Sequence, residues 1–393
     1  MYKLFLVLTF SNVVPTLILF LFIEKYITNI PPNIWVEFQK AHLVASVASM
    51  LGMLKLEIAQ FQDAGDSSDT EKSAFTMSIF SSIILPIVLI AFLGWNTATF
   101  VFSSSLSLIY SFFNYKLNAE ILSQRRVSIF IISLLKISLI PMTFVMIVLS
   151  VGSLKSVAFI YFLLAFTLVL TKKDQIISVQ NLMNYIKIYV RYTRDLLTSN
   201  TLDYICSILL FKVLLVTYPS EVIVIYYLFE RFVVAPIGVI TSAFSKVLLK
   251  EGSKFKLNSQ YQHHTLAISL FIFLFGAILM VGLVHVLQKY FNSSTLTSLM
   301  TEPYFSTCVL LLLIQGYTSM YSNLFITYNL ENKLRKISII NFFFKVLLLV
   351  ITTFLGLNLY MFLLISLLLI SDVIFSVYMY WRNRNALHLY PNL

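Results

Sequence analysis

The side chains of this sequence best placed to do chemistry are charges set inside long apolar runs. Lys136 lies in SIFIISLLKISLIPM, Glu230 and Arg231 in IVIYYLFERFVVAPI, Lys345 in SIINFFFKVLLLV and Asp372 in LLISDVIFSV. An ionisable group in hydrocarbon costs at least about 2.5–3.5 kcal/mol on insertion scales, so each must be paired, snorkel to an interface, or face water. Counted at 1.5 Å per residue from the basic boundaries ahead of them, Lys136 and Lys345 sit roughly 12–14 Å deep, too far in for easy snorkelling. Asp372, on the following antiparallel run, reaches a similar depth, so a Lys345–Asp372 pair is one reading of both residues, and an anion-binding role for Lys345 is the other. Lys136 has no comparable partner in its half of the chain; it must face water or an anion, or lean on the other half. Arg231 carries a planar fork that can donate two hydrogen bonds to a phosphate. Its alternative is a carboxylate such as Asp203 or Asp372. Lys40, with Glu37 and His42, and Lys212 lie nearer span ends, where snorkelling or outside water competes with a lining role. The chemistry open to such a set is the holding of an anion, with Asp372, Glu230 and Asp203 as charge partners.

Catalytic patterns are missing. The sequence has no Gly-rich phosphate loop, HExxH pattern, nucleophile elbow or kinase set. The adjacent His263 and His264 are better read as solvated than as a metal site, and Cys206 and Cys308 both fall in apolar stretches. The expectation is a protein that is not an enzyme and uses no metal or cofactor.

The elements that position these charges are membrane helices. The chain has 393 residues, 59% hydrophobic and 11% charged, with mean hydropathy +0.87, whereas soluble domains run near 25% charged. A water-soluble globule is excluded. Apolar runs near 4–23, 36–56, 76–95, 97–113, 127–149, 156–171, 200–217, 222–245, 265–287, 304–327, 337–355 and 358–380 predict twelve spans of the length a bilayer requires. With the N-terminus inside, only Lys25, Lys155 and Lys289 of the 28 Lys and Arg fall outside, and only Lys40, Lys136, Lys212, Arg231 and Lys345 fall within spans. This bias predicts both termini cytoplasmic, and it explains the net charge of +11 as a topology signal rather than a nucleic-acid surface. The connection 172–199 mixes Ile, Leu, Tyr and Val with Lys and Arg at helical spacing and reads as an amphipathic helix on anionic headgroups. It divides a bundle over 1–171 from a second bundle with a short tail over 200–393.

The bundles repeat. Tyr115–Lys116–Leu117, Arg125–Arg126–Val127–Ser128–Ile129 and Lys136 are echoed by Tyr328–Asn329–Leu330, Arg335–Lys336–Ile337–Ser338–Ile339 and Lys345. Ser11–Asn12, Pro31 and Phe38 return 188 residues later as Ser199–Asn200, Pro219 and Tyr226. Both matches displace a span by an even number of crossings, which predicts an all-α fold of two parallel-repeat six-helix bundles with a path between them.

The stretch from Ala45 to Ala74 runs through Leu54–Lys55–Leu56–Glu57–Ile58–Ala59–Gln60 into QDAGDSSDTEKSA. It resembles the end of span two and the acidic loop of bacterial polysaccharide flippases, with Leu56 in place of the usual aromatic and Lys55 in place of the usual Arg. Tyr226–Tyr227–Leu228–Phe229–Glu230–Arg231, then Ala235–Pro236 and Ser242–Ala243–Phe244–Ser245–Lys246–Val247, is similar to that family's eighth span. The resemblance is to the polysaccharide transporter branch, of O-antigen and capsule type, in the multidrug/oligosaccharidyl-lipid/polysaccharide exporter superfamily. It implies a bacterial inner-membrane flippase that moves a polyprenyl-pyrophosphate-linked oligosaccharide outward by alternating access. Its implied partners are that cargo and membrane lipids, without nucleic acid, and it admits other polysaccharide-assembly membrane proteins. Lys136, Arg231, Lys345, Lys212 and Lys40 would hold the pyrophosphate, and Glu57 marks the family motif. Two alternatives stand beside it: a membrane-embedded glycan polymerase or ligase, and a drug or ion exporter of the same superfamily. The first is expected to carry Arg or His in a large outside loop, which this sequence lacks, and the second an acidic cavity.

Overall fold

The computed structural model describes residues 30–52, 67–123, 125–149, 153–250, 270, 274, 301–319, 331–355 and 360–389. The expected first span, nearly all of the ninth, and the motif containing Glu57 lie outside them. The described residues form α1 (Pro32–Gly52), α2 (Ser67–Leu93), α3 (Thr97–Ser123), α4 (Arg126–Leu149), α5 (Leu154–Thr171), α6 (Val179–Thr217), α7 (Ser220–Phe229), α8 (Ala235–Lys250), α9 (Phe305–Ser319), α10 (Glu331–Phe354) and α11 (Met361–Leu389). Among the described residues there is no strand. Within these helices, Lys72–Leu93, Arg126–Leu149, Leu154–Thr171, Leu197–Thr217, Asn332–Phe354 and Met361–Arg382 are long and apolar enough to cross a membrane. The amphipathic stretch begins with a short 3-10 turn at Lys173–Gln175, and α6 then runs unbroken from Val179 into the expected seventh span. Two compact units result, one ending at Tyr204 and the other beginning at Ile205.

In the first unit the usual distribution of side chains is inverted. On α2, Ser73, Ser78, Ser81 and Ser82 are buried while Ile83, Ile84, Ile87 and Val88 are exposed; α5 exposes Phe159, Phe162, Leu163 and Phe166. Lipid tails are as apolar as these side chains, so helices associate through close packing of small residues instead. α3 lies at the centre, packed against α1, α2, α4 and α5, and buries Thr99, Ser103, Ser105, Ser107, Ser111 and Asn118. Many hydroxyls satisfy themselves on the preceding turn, as Ser103 Oγ does on Phe100 O at 2.9 Å and Ser105 Oγ on Val101 O at 2.8 Å. The closest approach is α1 to α2, where a Cβ added at Gly52 would stand 1.9 Å from Ser81 Oγ. Phe38 stacks on Phe102 with centroids 6.1 Å apart and Phe102 meets Tyr161 edge-on at 5.1 Å, tying α1, α3 and α5 together.

The turn from α2 to α3 is only Gly94–Asn96. Gly94 takes φ +113°, which glycine adopts without steric cost, and Asn96 Oδ1 caps α3 by accepting from the backbone N–H of Ala98 and Thr99 at 3.0 and 3.3 Å. In the second unit Phe229, Phe305 and Phe362 pack edge-to-face at 5.1–5.9 Å and join α7, α9 and α11. Leu349, Leu364 and Leu368 of α10 and α11 pack against Leu209, Leu210 and Val213 of α6.

Candidate functional site

Lys136 projects from α4 toward α3, where its Nζ donates to Asn114 Oδ1 at 2.6 Å. The lysine is half-buried, and among the described residues no carboxylate pairs with it. A cation held only by a neutral amide keeps its full charge available to an anion, because an amide oxygen orients the ammonium without cancelling it.

Its counterpart in the repeat behaves differently. Lys345 on α10 is buried and its Nζ lies 2.5 Å from Asp372 Oδ1 on α11; Asn341 Nδ2 donates to the same oxygen at 2.7 Å, and Ser371 Oγ donates to Asn341 Oδ1. The pairing argued from depth is therefore present, and it forms a network of four side chains. Lys136 faces the helix that precedes its own, whereas Lys345 faces the helix that follows.

Near the end of α1 the charges form another cluster. Lys40 is only 6% exposed. Its Nζ pairs with Glu37 Oε1 at 2.6 Å and reaches Gly94 O at 3.4 Å, while Thr99 Oγ1 donates to Glu37 Oε2 at 2.5 Å. Sequence reasoning set Lys40 beside outside water, but the short turn closes over it and supplies both the carbonyl and the threonine. One turn further along, His42 Nε2 meets Tyr110 OH at 2.9 Å.

Arg231 stands in a π-helical segment, Glu230–Val234, inserted between α7 and α8. Its guanidinium lies 5.1 Å from the centre of the Tyr227 ring, and Tyr226 OH donates to Glu230 Oε1 at 3.3 Å. A π-turn widens the helix by one residue and is concentrated at functional sites; no spacing in the sequence announces it. Lys212 is half-buried on α6, and Asp203, on the same helix, is exposed. Asn114, Thr99, Asn341 and Ser371 were not anticipated; each is a neutral residue whose part is visible only once its helix is set beside the charged one. Among the described residues no three His, Cys, Asp or Glu converge on a metal position.

Among known proteins, no protein-family model and no curated protein matches this sequence. Solved structures do. The outward-facing conformation of a multidrug resistance MATE family transporter of the MOP superfamily superposes with TM-score 0.58 at 12% identity, covering 99% of this chain and 95% of that one. The chain has the MATE fold. The inward-facing conformation of a multidrug resistance MATE family transporter matches with TM-score 0.56 at 13% identity over 99% and 94% of the two chains. A Vibrio cholerae MATE transporter, VcmN, in its bent form, matches with TM-score 0.56 at 13% identity over 98% and 97%. A MATE fold comprises twelve helices in two repeats, so this chain is an all-α polytopic membrane protein of two six-helix halves, which agrees with the repeat and the spacing of its apolar runs.

Proposed function

We propose that this protein is a flippase that carries a polyprenyl-pyrophosphate-linked oligosaccharide across the bacterial inner membrane by alternating access. The observation that carries the reading is Lys136, a cation at membrane depth oriented by Asn114 and left without a carboxylate among the described residues. A pyrophosphate supplies the missing negative charge, its sugars suit hydroxyl-lined helices such as α3, and its lipid tail can remain in the bilayer. Arg231, steadied by the Tyr227 ring, is the second contact, because its fork matches two phosphate oxygens. Lys345 is bound to Asp372, which moves it from the anion-holding set to the framework. A MATE fold is built for exchange between inward-open and outward-open states, and both conformations among the solved structures superpose on this chain.

A drug exporter is the second reading, favoured by the multidrug transporters among the structural neighbours. The sign of the deep uncompensated charge separates the two, since a cationic drug would be repelled by Lys136.

The test is depletion of the protein followed by analysis of lipid-linked sugars in the cytoplasmic leaflet, combined with Lys136→Ala and Arg231→Ala at normal abundance. Accumulated lipid-linked oligosaccharide and reduced surface glycan are expected, with Arg231→Lys restoring part of the loss. Wild-type surface glycan from both alanine variants at limiting expression would eliminate the cationic site.

A further inference from the structure

A cavity of about 350 Å³ opens in the second unit, lined by Thr217, Tyr218, Val222, Ile225, Glu302, Tyr360 and Met361. It lies at the helix ends that the basic-residue count sets outside, away from Arg231 and the Lys345 network. The volume is near the lower end of the roughly 300–1,000 Å³ of small-molecule sites, and it admits a monosaccharide unit.

The lining is specific in kind. Thr217, Tyr218 and Tyr360 contribute three hydroxyls, each able to donate and accept, and Glu302 contributes a carboxylate that only accepts. Val222, Ile225 and Met361 supply an apolar wall. No Lys, Arg or His lines the cavity, so an anion finds nothing to neutralise it. Burial raises the Tyr218 phenol above its ordinary value, so it keeps its proton and its donor at neutral pH. The turn that presents Glu302 is held by Phe305 N–H donating to Glu302 O at 3.2 Å, and Tyr304 beside it takes φ +66°, a conformation that bulky residues rarely adopt. Tyr304 in turn sets its ring 6.3 Å from that of Tyr360. Strain of this sort persists where surrounding contacts over-determine the backbone, and it concentrates at binding sites.

We propose that this cavity is a sugar subsite that takes a neutral pyranoside, with Glu302 accepting from ring hydroxyls and the apolar wall and Tyr360 covering the C–H face. A pyranose offers such a pair of faces, one edge of donors and acceptors and one surface of C–H groups. That the ring belongs to translocated cargo rests on the flippase reading; that the pocket binds it does not.

The experiment uses the purified full-length protein in detergent and saturation-transfer NMR with methyl glucoside, methyl galactoside, methyl N-acetylglucosaminide and, as a cationic control, tetraethylammonium. A saturable signal from at least one neutral pyranoside is expected, weakened more than tenfold by Glu302→Gln and by Tyr360→Ala and unchanged by Lys136→Ala. Retained size-exclusion profiles and thermal midpoints show that the variants remain folded. The proposal is overturned if no pyranoside binds, if binding survives both pocket variants, or if only tetraethylammonium binds through Glu302. Pyranoside binding at Glu302 without any lipid-linked sugar accumulating on depletion would keep the pocket and defeat the flippase reading; accumulation without pyranoside binding would do the reverse.

Discussion

Lys345 and Asp372 lend themselves to a double-mutant cycle whose outcome follows from their surroundings. The side chains are only 10% and 16% exposed, and removing one member of a buried ion pair costs about 3–5 kcal/mol because the other is left charged and unpaired. Lys345→Met leaves Asp372 with the hydrogen bond from Asn341, so its loss belongs at the lower end, about 3 kcal/mol. Asp372→Leu strands an ammonium and also takes the acceptor from Asn341, which sets it at the upper end, about 5 kcal/mol. Additivity would give about 8 kcal/mol for the double variant. Removing both charges leaves only the Asn341 amide unsatisfied, at about 1–3 kcal/mol, so a coupling of at least about 5 kcal/mol is expected. Unfolding of the detergent-solubilised protein by SDS, followed by circular dichroism and checked against membrane abundance, measures it. A double variant as unstable as the additive sum would refute the pair and return Lys345 to the anion-holding set.

Gly52→Ala drives a methyl group to 1.9 Å from Ser81 Oγ and should destabilise the first unit by about 1–3 kcal/mol, with Ser81→Gly restoring most of the loss; a neutral Gly52→Ala in the same SDS titration would mean that α1 and α2 do not cross so closely. In a background without Cys206 and Cys308, Thr28→Cys and Thr295→Cys should label with an impermeant thiol reagent in intact cells and Gln180→Cys should not. Labelling at position 180 from outside would invert the layout.

The span pattern was legible because a bilayer imposes one length and one polarity on every helix, and apolar runs show both directly. The Lys345–Asp372 contact was legible for a related reason: two opposite charges at equal depth on consecutive antiparallel helices have few other ways to be tolerated. Lys40 was misplaced because the depth rule ignores lateral neighbours, and its burial depends on a three-residue turn that carries Gly94 back over α1. Asn114 escaped notice since a neutral amide in a serine-rich helix has no signature of its own until Lys136 is brought beside it. The buried hydroxyls of α2 and α3 were written in the sequence as frequent Ser and Thr, but which of them face protein and which face lipid depends on helix rotation, which hydropathy averages away.

The π-segment at Glu230–Val234 also bears on the ancestry of the two halves. Closing a turn with an i to i+5 bond uses one residue more than an α-turn, so the segment has the geometry of a single-residue insertion absorbed inside a helix. The correspondence Pro31 to Pro219 and Phe38 to Tyr226 keeps an offset of 188 up to the point where that insertion begins. Beyond Val234 the offset should grow by one, and a gapless alignment of the halves would pair residues that point about 100° apart. Deleting one residue within 230–234 should therefore regularise the helix while turning everything after it, so the extra residue that aims Arg231 also marks where the two copies diverged.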